Sequence, residues 1–79
     1  MWEQGKFIYK GVAYRYSIKR YDTASHMGIN NGRISKLDMY SIQNGIEMYI
    51  FHYDRGWDFP KSKDKKHIAA LNYLLKYTN

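Results

Sequence analysis

Apolar side chains recur at every second position through most of the chain and then switch to every third or fourth near its end. From Gly5 to Tyr21, Phe7 and Tyr9 share one face of a strand running Lys6 to Lys10, and Tyr14, Tyr16 and Ile18 alternate with Arg15, Ser17 and Lys19. A period of two is the mark of a half-buried strand. The stretch therefore predicts a hairpin turning near Lys10, Gly11 and Val12, with Tyr14, Tyr16 and Ile18 toward the core and Arg15, Lys19 and Tyr21 outward. Ile34 to Ile42 and Ile46 to Tyr53 predict a second hairpin, because Asn44 and Gly45 supply the Asn-Gly pair that a type I′ turn favours. In its second strand both faces are largely apolar, Tyr49, Phe51 and Tyr53 on one and Met48 and Ile50 on the other, which predicts a central strand with one face beneath a helix.

The alternation lapses twice. Asp22 to Arg33 is a long connection for so small a domain, and such loops are often functional. Asp54 to Pro60 predicts an aromatic-bearing turn in which Pro60 stops the strand pattern. Ser62 to Tyr77 then carries Ile68, Leu71, Leu74 and Leu75 at helical spacing, with Ser62 as N-cap. The fold class expected is α+β: one domain over residues 1–79, a four-stranded antiparallel sheet of two hairpins, and one C-terminal helix packed on a face.

Composition changes the picture in two ways. With 79 residues and no cysteine, the chain has neither disulfides nor a thiolate zinc site to reinforce a small core. Packing, rich here in nine tyrosines, or a partner subunit in a homo-oligomer has to supply the stability. Second, 13 Lys and Arg against 7 Asp and Glu give a net charge of +6, a field that favours an anionic partner: a nucleotide, nucleic acid or an acidic protein. No apolar run approaches a membrane span and the start MWEQGKF lacks the order of a secretion signal, so a cytoplasmic protein without membrane contact is expected.

Three clusters could carry binding. In Gly28 to Lys36 the glycines permit close backbone approach, and Asn30, Asn31, Gly32, Arg33, Ser35 and Lys36 could cradle an anion. The segment matches neither a P-loop nor a dinucleotide fingerprint, and a tight Gly and Asn turn into the next strand is the slightly favoured alternative. Near Tyr53 to Asp58, Arg55 and Trp57 are residue types that dominate recognition surfaces, although Trp57 could equally cap the open end of the sheet. Lys61, Lys63, Lys65 and Lys66 surround the start of the helix, where positive charge opposes the helix dipole and so points to an anionic partner, or forms a solvated face. For catalysis, His26, His52 and His67 lack a Ser or Cys constellation, and His52 with Asp54 and Asp58 is a common pairing rather than a metal motif. No cofactor, metal or catalytic residue is expected.

The blocks GINNGRISKL and YDRGWD, with Trp2, Gly5, Phe7, Gly11, Tyr14, Lys19, Tyr21, Asp22 and Ser25, resemble a family of small proteins of Firmicutes and their phages. The resemblance covers most of the chain and carries over no catalytic residue. It implies a setting in which small basic phage proteins disable a host defence, by occupying a nucleic-acid-handling effector such as a CRISPR complex or by sequestering a nucleotide signal. The function expected is therefore a non-catalytic anti-defence inhibitor using Arg33, Ser35, Lys36, Arg55 and Trp57 as one recognition surface. A general single-stranded nucleic-acid-binding module, its tyrosines stacking on bases, and a structural protein with no ligand are the alternatives.

Overall fold

The structure, a computed structural model, describes residues 2–79. Its strands are β1 (Trp2–Tyr9), β2 (Val12–Arg20), β3 (Ile34–Gln43), β4 (Ile46–Asp54) and β5 (Trp57–Lys61), followed by the helix α1 (Lys65–Thr78). They form one antiparallel sheet in the order β1-β2-β3-β4-β5, so each strand pairs with its neighbours in sequence. Both expected hairpins form, and their turns use the predicted residues: Lys10 and Gly11, then Asn44 and Gly45, all take positive φ as a type I′ turn demands.

The sheet has five strands rather than four. The segment expected to be a turn contains only a tight reversal at Arg55 and Gly56, after which β5 pairs back on β4. Pro60 does not stop this strand because β5 lies at the sheet edge, where a missing N–H can face solvent without breaking a ladder bond. Helix α1 also starts later than expected. Its N-cap is Asp64, which accepts from the Lys66 N–H at 2.8 Å, while the Ser62 hydroxyl, two residues earlier, accepts from the Asp64 N–H at 3.1 Å.

One face of the sheet and the inner stripe of α1 enclose the core. Tyr14, Ile18, Leu37, Met39, Phe51 and Tyr53 from the strands are buried with Ala70, Leu71, Leu74 and Leu75. Ile68, expected in the stripe, is 39% exposed, whereas Leu71 is 6% exposed. His67 takes the first inward position, and its Nδ1 lies 2.9 Å from the Tyr14 hydroxyl. As expected for the inward face of β2, Tyr14 and Tyr16 pack inside, where with Tyr9 they join Phe7 and Tyr73 in a continuous aromatic cluster between β1, β2 and α1. Ring-to-ring contact of this kind adds roughly 0.5–1.5 kcal/mol per pair beyond area burial.

Candidate functional site

The face of the sheet away from α1 is a grid, fixed by strand register, of side chains on alternate positions. One row crosses Lys6, Arg15, Tyr40 and Tyr49; the next crosses Gln4, Ser17, Asp38, His52 and Asp58; a third crosses Trp2, Lys19, Lys36 and Asp54. Arg15, Tyr40 and Tyr49 of the first row and Asp38 and His52 of the second are held by specific partners, while Lys6 joins no ion pair among the described residues. Arg15 donates to Glu47 from Nε at 2.6 Å and from a terminal nitrogen at 3.0 Å, and its guanidinium lies 4.2 Å above the Tyr40 ring. That ring stacks on Tyr49 with centroids 4.8 Å apart. The hydrogen bonds from Arg15 hold the Glu47 carboxyl below its ordinary value.

Asp38, in turn, accepts from the Tyr49 hydroxyl, and Nδ1 of His52 lies 2.8 Å from both the Asp38 carboxylate and the Tyr49 oxygen. Burial, and then the Asp38 carboxylate, push the Tyr49 phenol above its ordinary value, so it stays a protonated donor. The sequence suggested His52 with Asp54 and Asp58. The structure gives His52 the cross-strand partner Asp38 instead, and among the described residues no group of three His, Cys, Asp or Glu is arranged to hold a metal.

The third row differs. Lys19 and Lys36 stand directly opposite each other on β2 and β3, and neither joins an ion pair among the described residues. Like charges facing each other across a strand pair destabilise it. Together with Arg20, Tyr21, Ser35 and Arg55 they line a cleft of about 260 Å³ at this end of the sheet. Arg20 Nε sits 3.0 Å from a Glu3 oxygen, yet it is buried and lacks an aligned hydrogen bond. Arg55 occupies the left-handed region at φ 57 in the β4–β5 turn, its N–H donating to the Ser35 carbonyl at 2.9 Å and its side chain to Asp54 at 3.2 Å. A non-glycine residue there costs on the order of 1 kcal/mol.

Of the residues singled out in sequence, Ser35, Lys36 and Arg55 therefore meet, with Lys19, Arg20 and Tyr21 added. Arg33 does not line this cleft; its Nε donates to the Tyr21 carbonyl at 3.1 Å. Asn30, Asn31 and Gly32 belong to a loop folded onto the end of α1. There Ile29 and Asn30–Asn31 form a single 3₁₀ turn, the Asn79 amide donates to the Ile29 carbonyl at 2.7 Å, and the Tyr53 hydroxyl donates to the Met27 carbonyl at 2.8 Å. The glycines are required by packing: a Cβ on Gly28 would strike the Gly32 carbonyl, and one on Gly32 would strike the Asn79 side chain. Trp57 lies on the helix side, edge-on to Phe51 and Tyr53, so it closes the end of the core. Lys61 reaches over the Trp57 ring at 5.5 Å, Lys63 precedes the N-cap, and Lys65 and Lys66 open α1.

Among known proteins, a family model described as Domain of unknown function (DUF7678) matches residues 1–79, and the chain belongs to this family. No curated protein and no solved structure matches it. Among the described residues no helix is long and apolar enough to cross a membrane.

Proposed function

We propose, with membership of this family as the premise, that the protein is a non-catalytic binding protein that holds a phosphate-bearing ligand in the Lys19–Lys36–Arg55 cleft. The single observation that carries this reading is the opposed pair Lys19 and Lys36, two cations set face to face and in no ion pair among the described residues, the Asp54 carboxylate on the far side of Lys36 being engaged by Arg55. An anion between them converts a repulsion into two attractions. Arg20 and Arg55 add guanidinium forks suited to phosphate oxygens, and the Ser35 hydroxyl, now donating to the Lys19 carbonyl at 3.1 Å, stands at the same wall. A cleft of about 260 Å³ suits one or two phosphate groups better than a length of strand.

The resemblance to small proteins of Firmicutes and their phages supplies the setting. There the reading becomes sequestration of a nucleotide signal used in host defence, in the cytoplasm of the host cell. The pairing of Arg15, Tyr40, Tyr49, Asp38 and His52 among themselves speaks against the open face as a platform for single-stranded nucleic acid, since bases stack on free aromatic faces.

Calorimetric titration with inorganic pyrophosphate, a cyclic dinucleotide and single-stranded oligonucleotides of increasing length tests the reading. Lys36→Gln and Arg55→Lys are expected to weaken the two small ligands by about tenfold each, the loss of one charge-assisted hydrogen bond. Binding that grows with oligonucleotide length, while both variants behave as the parent, would reject the cleft in favour of diffuse charge attraction.

A further inference from the structure

The two edges of the sheet are built differently. Strand β5 is five residues long, contains Pro60, and pairs with β4 through an irregular register between Phe51 and His52. These are the devices by which proteins keep an edge from pairing with another chain. Strand β1 carries the charged Lys6 and Glu3, the latter paired with Arg20, but neither a proline nor a break in register. It runs eight residues without proline, and its register with β2 is continuous from Trp2 to Tyr9. Its outward row of backbone donors and acceptors is a complete template for a further strand.

Its side chains are arranged symmetrically about Gly5. On the open face, Trp2 and Ile8 lie three positions to either side, and Gln4 and Lys6 lie one position to either side. Trp2 is 45% exposed and Ile8 73% exposed. An apolar groove of about 500 Å³ runs beside Ile8 along Lys6, Ala13 and Ile42. Among the described residues no side chain fills it. On the helix face Gly5 is covered by the Tyr16 ring, so the centre of the strand carries no protruding side chain on that side.

We infer that β1 is the interface for a second copy of this chain, the two β1 strands pairing antiparallel about a two-fold axis through Gly5. In this register Trp2 of each copy stands opposite Ile8 of the other, where its indole leans onto the Ile8–Ala13–Ile42 groove, and Lys6 faces a neutral Gln4. Registers two residues away are disfavoured. One sets Lys6 against Lys6, and the other leaves Ile8 without a partner. The pairing joins two five-stranded sheets into one of ten, with each Lys19–Lys36 cleft beginning one strand away from the shared edge.

Sedimentation equilibrium of the full chain is expected to give twice the chain mass of 9.5 kDa over a dilution series. Ile8→Glu, at an exposed position, is expected to keep the circular dichroism of the parent while weakening association by at least about tenfold. Because the chain has no cysteine, the register can be read directly from the single variants Gln4→Cys and Lys6→Cys treated with a short bifunctional thiol reagent. A covalent dimer is expected to form faster in an equal mixture of the two, whose thiols stand directly opposite, than in either alone, whose thiols are diagonal neighbours. A single chain mass throughout the series overturns the inference. So does a dimer that Ile8→Glu leaves intact, a covalent dimer formed faster by either cysteine variant alone than by the mixture, or none from the mixture. If Ile8→Glu fails to fold, the crosslinking pattern decides alone.

Discussion

Leu71 and Ile68 sit three residues apart on α1, and on spacing alone both belong to its apolar stripe. The structure separates them. Leu71 is 6% exposed against the sheet, whereas Ile68 is 39% exposed at the margin. Leu71→Ala should cost about 3 kcal/mol, toward the lower part of the usual 2–5 range, because a two-layer core lets the helix settle onto part of the space vacated. Ile68→Ala should cost no more than about 1 kcal/mol, since little apolar area is lost and alanine is the better helix former by several tenths. For 79 residues the total stability expected is about 4–12 kcal/mol, so Leu71→Ala removes a large fraction without abolishing folding. With a urea m-value of about 1.5 kcal/mol/M, the midpoints should fall by about 2 M and by less than about 0.7 M respectively. Equal shifts would show that α1 is rotated from its described orientation and would refute the reasoning.

Other consequences are accessible to simple measurements. Tyr14→Phe leaves His67 Nδ1 buried without its hydroxyl partner, and should lower stability by about 1–3 kcal/mol in the same urea titration at neutral pH. Burial raises the Tyr14 and Tyr53 phenols in the fold, so the stability they contribute is complete below the ordinary tyrosine value of about 10 and is lost as pH rises above it. Thermal midpoints should therefore fall once pH exceeds about 10, together with tyrosinate absorbance on unfolding; midpoints unchanged through that window would contradict it. Arg15→Gln should return the Glu47 carboxyl to its ordinary range in an NMR titration, with the other carboxyls unmoved. Gly28→Ala should destabilise far more than Gly32→Ala, because the first meets backbone and the second a side chain at the end of α1 that can swing aside; differential scanning calorimetry compares them.

The hairpins were legible in sequence because each depends on alternation within a strand and on a turn pair beside it, as with Asn44 and Gly45. Strand β5 was not, because Pro60 reads as a stop unless one knows that the strand lies at an edge. The inner stripe of α1 was misjudged at Ile68 because His67 and Ala70, which occupy inward positions, carry weak hydropathy signals. The cleft was half legible. Ser35, Lys36 and Arg55 stood out by type, but Lys19 joins them only through the β2–β3 register, and the two strands are separated by the long Asp22 to Arg33 connection. The pairing of His52 with Asp38 was hidden for the same reason. In the Gly28 to Lys36 loop, Gly28 is packed against the Gly32 carbonyl and Gly32 against the Asn79 side chain, contacts that the sequence does not display.

The nearest-neighbour order of the strands also dictates a sequence of events during synthesis. Every strand finds its partner in the segment made just before it, so the sheet can zip up hairpin by hairpin with low contact order and little loop entropy to overcome. The exception is α1, whose Tyr73 and His67 pack on Phe7, Tyr9 and Tyr14 from the opposite end of the chain. Until the helix docks, the sheet shows Tyr14, Leu37, Met39 and Phe51 to water. The nascent chain is then most open to chaperones and to mispairing, and docking of the helix ends that exposure in a single late step.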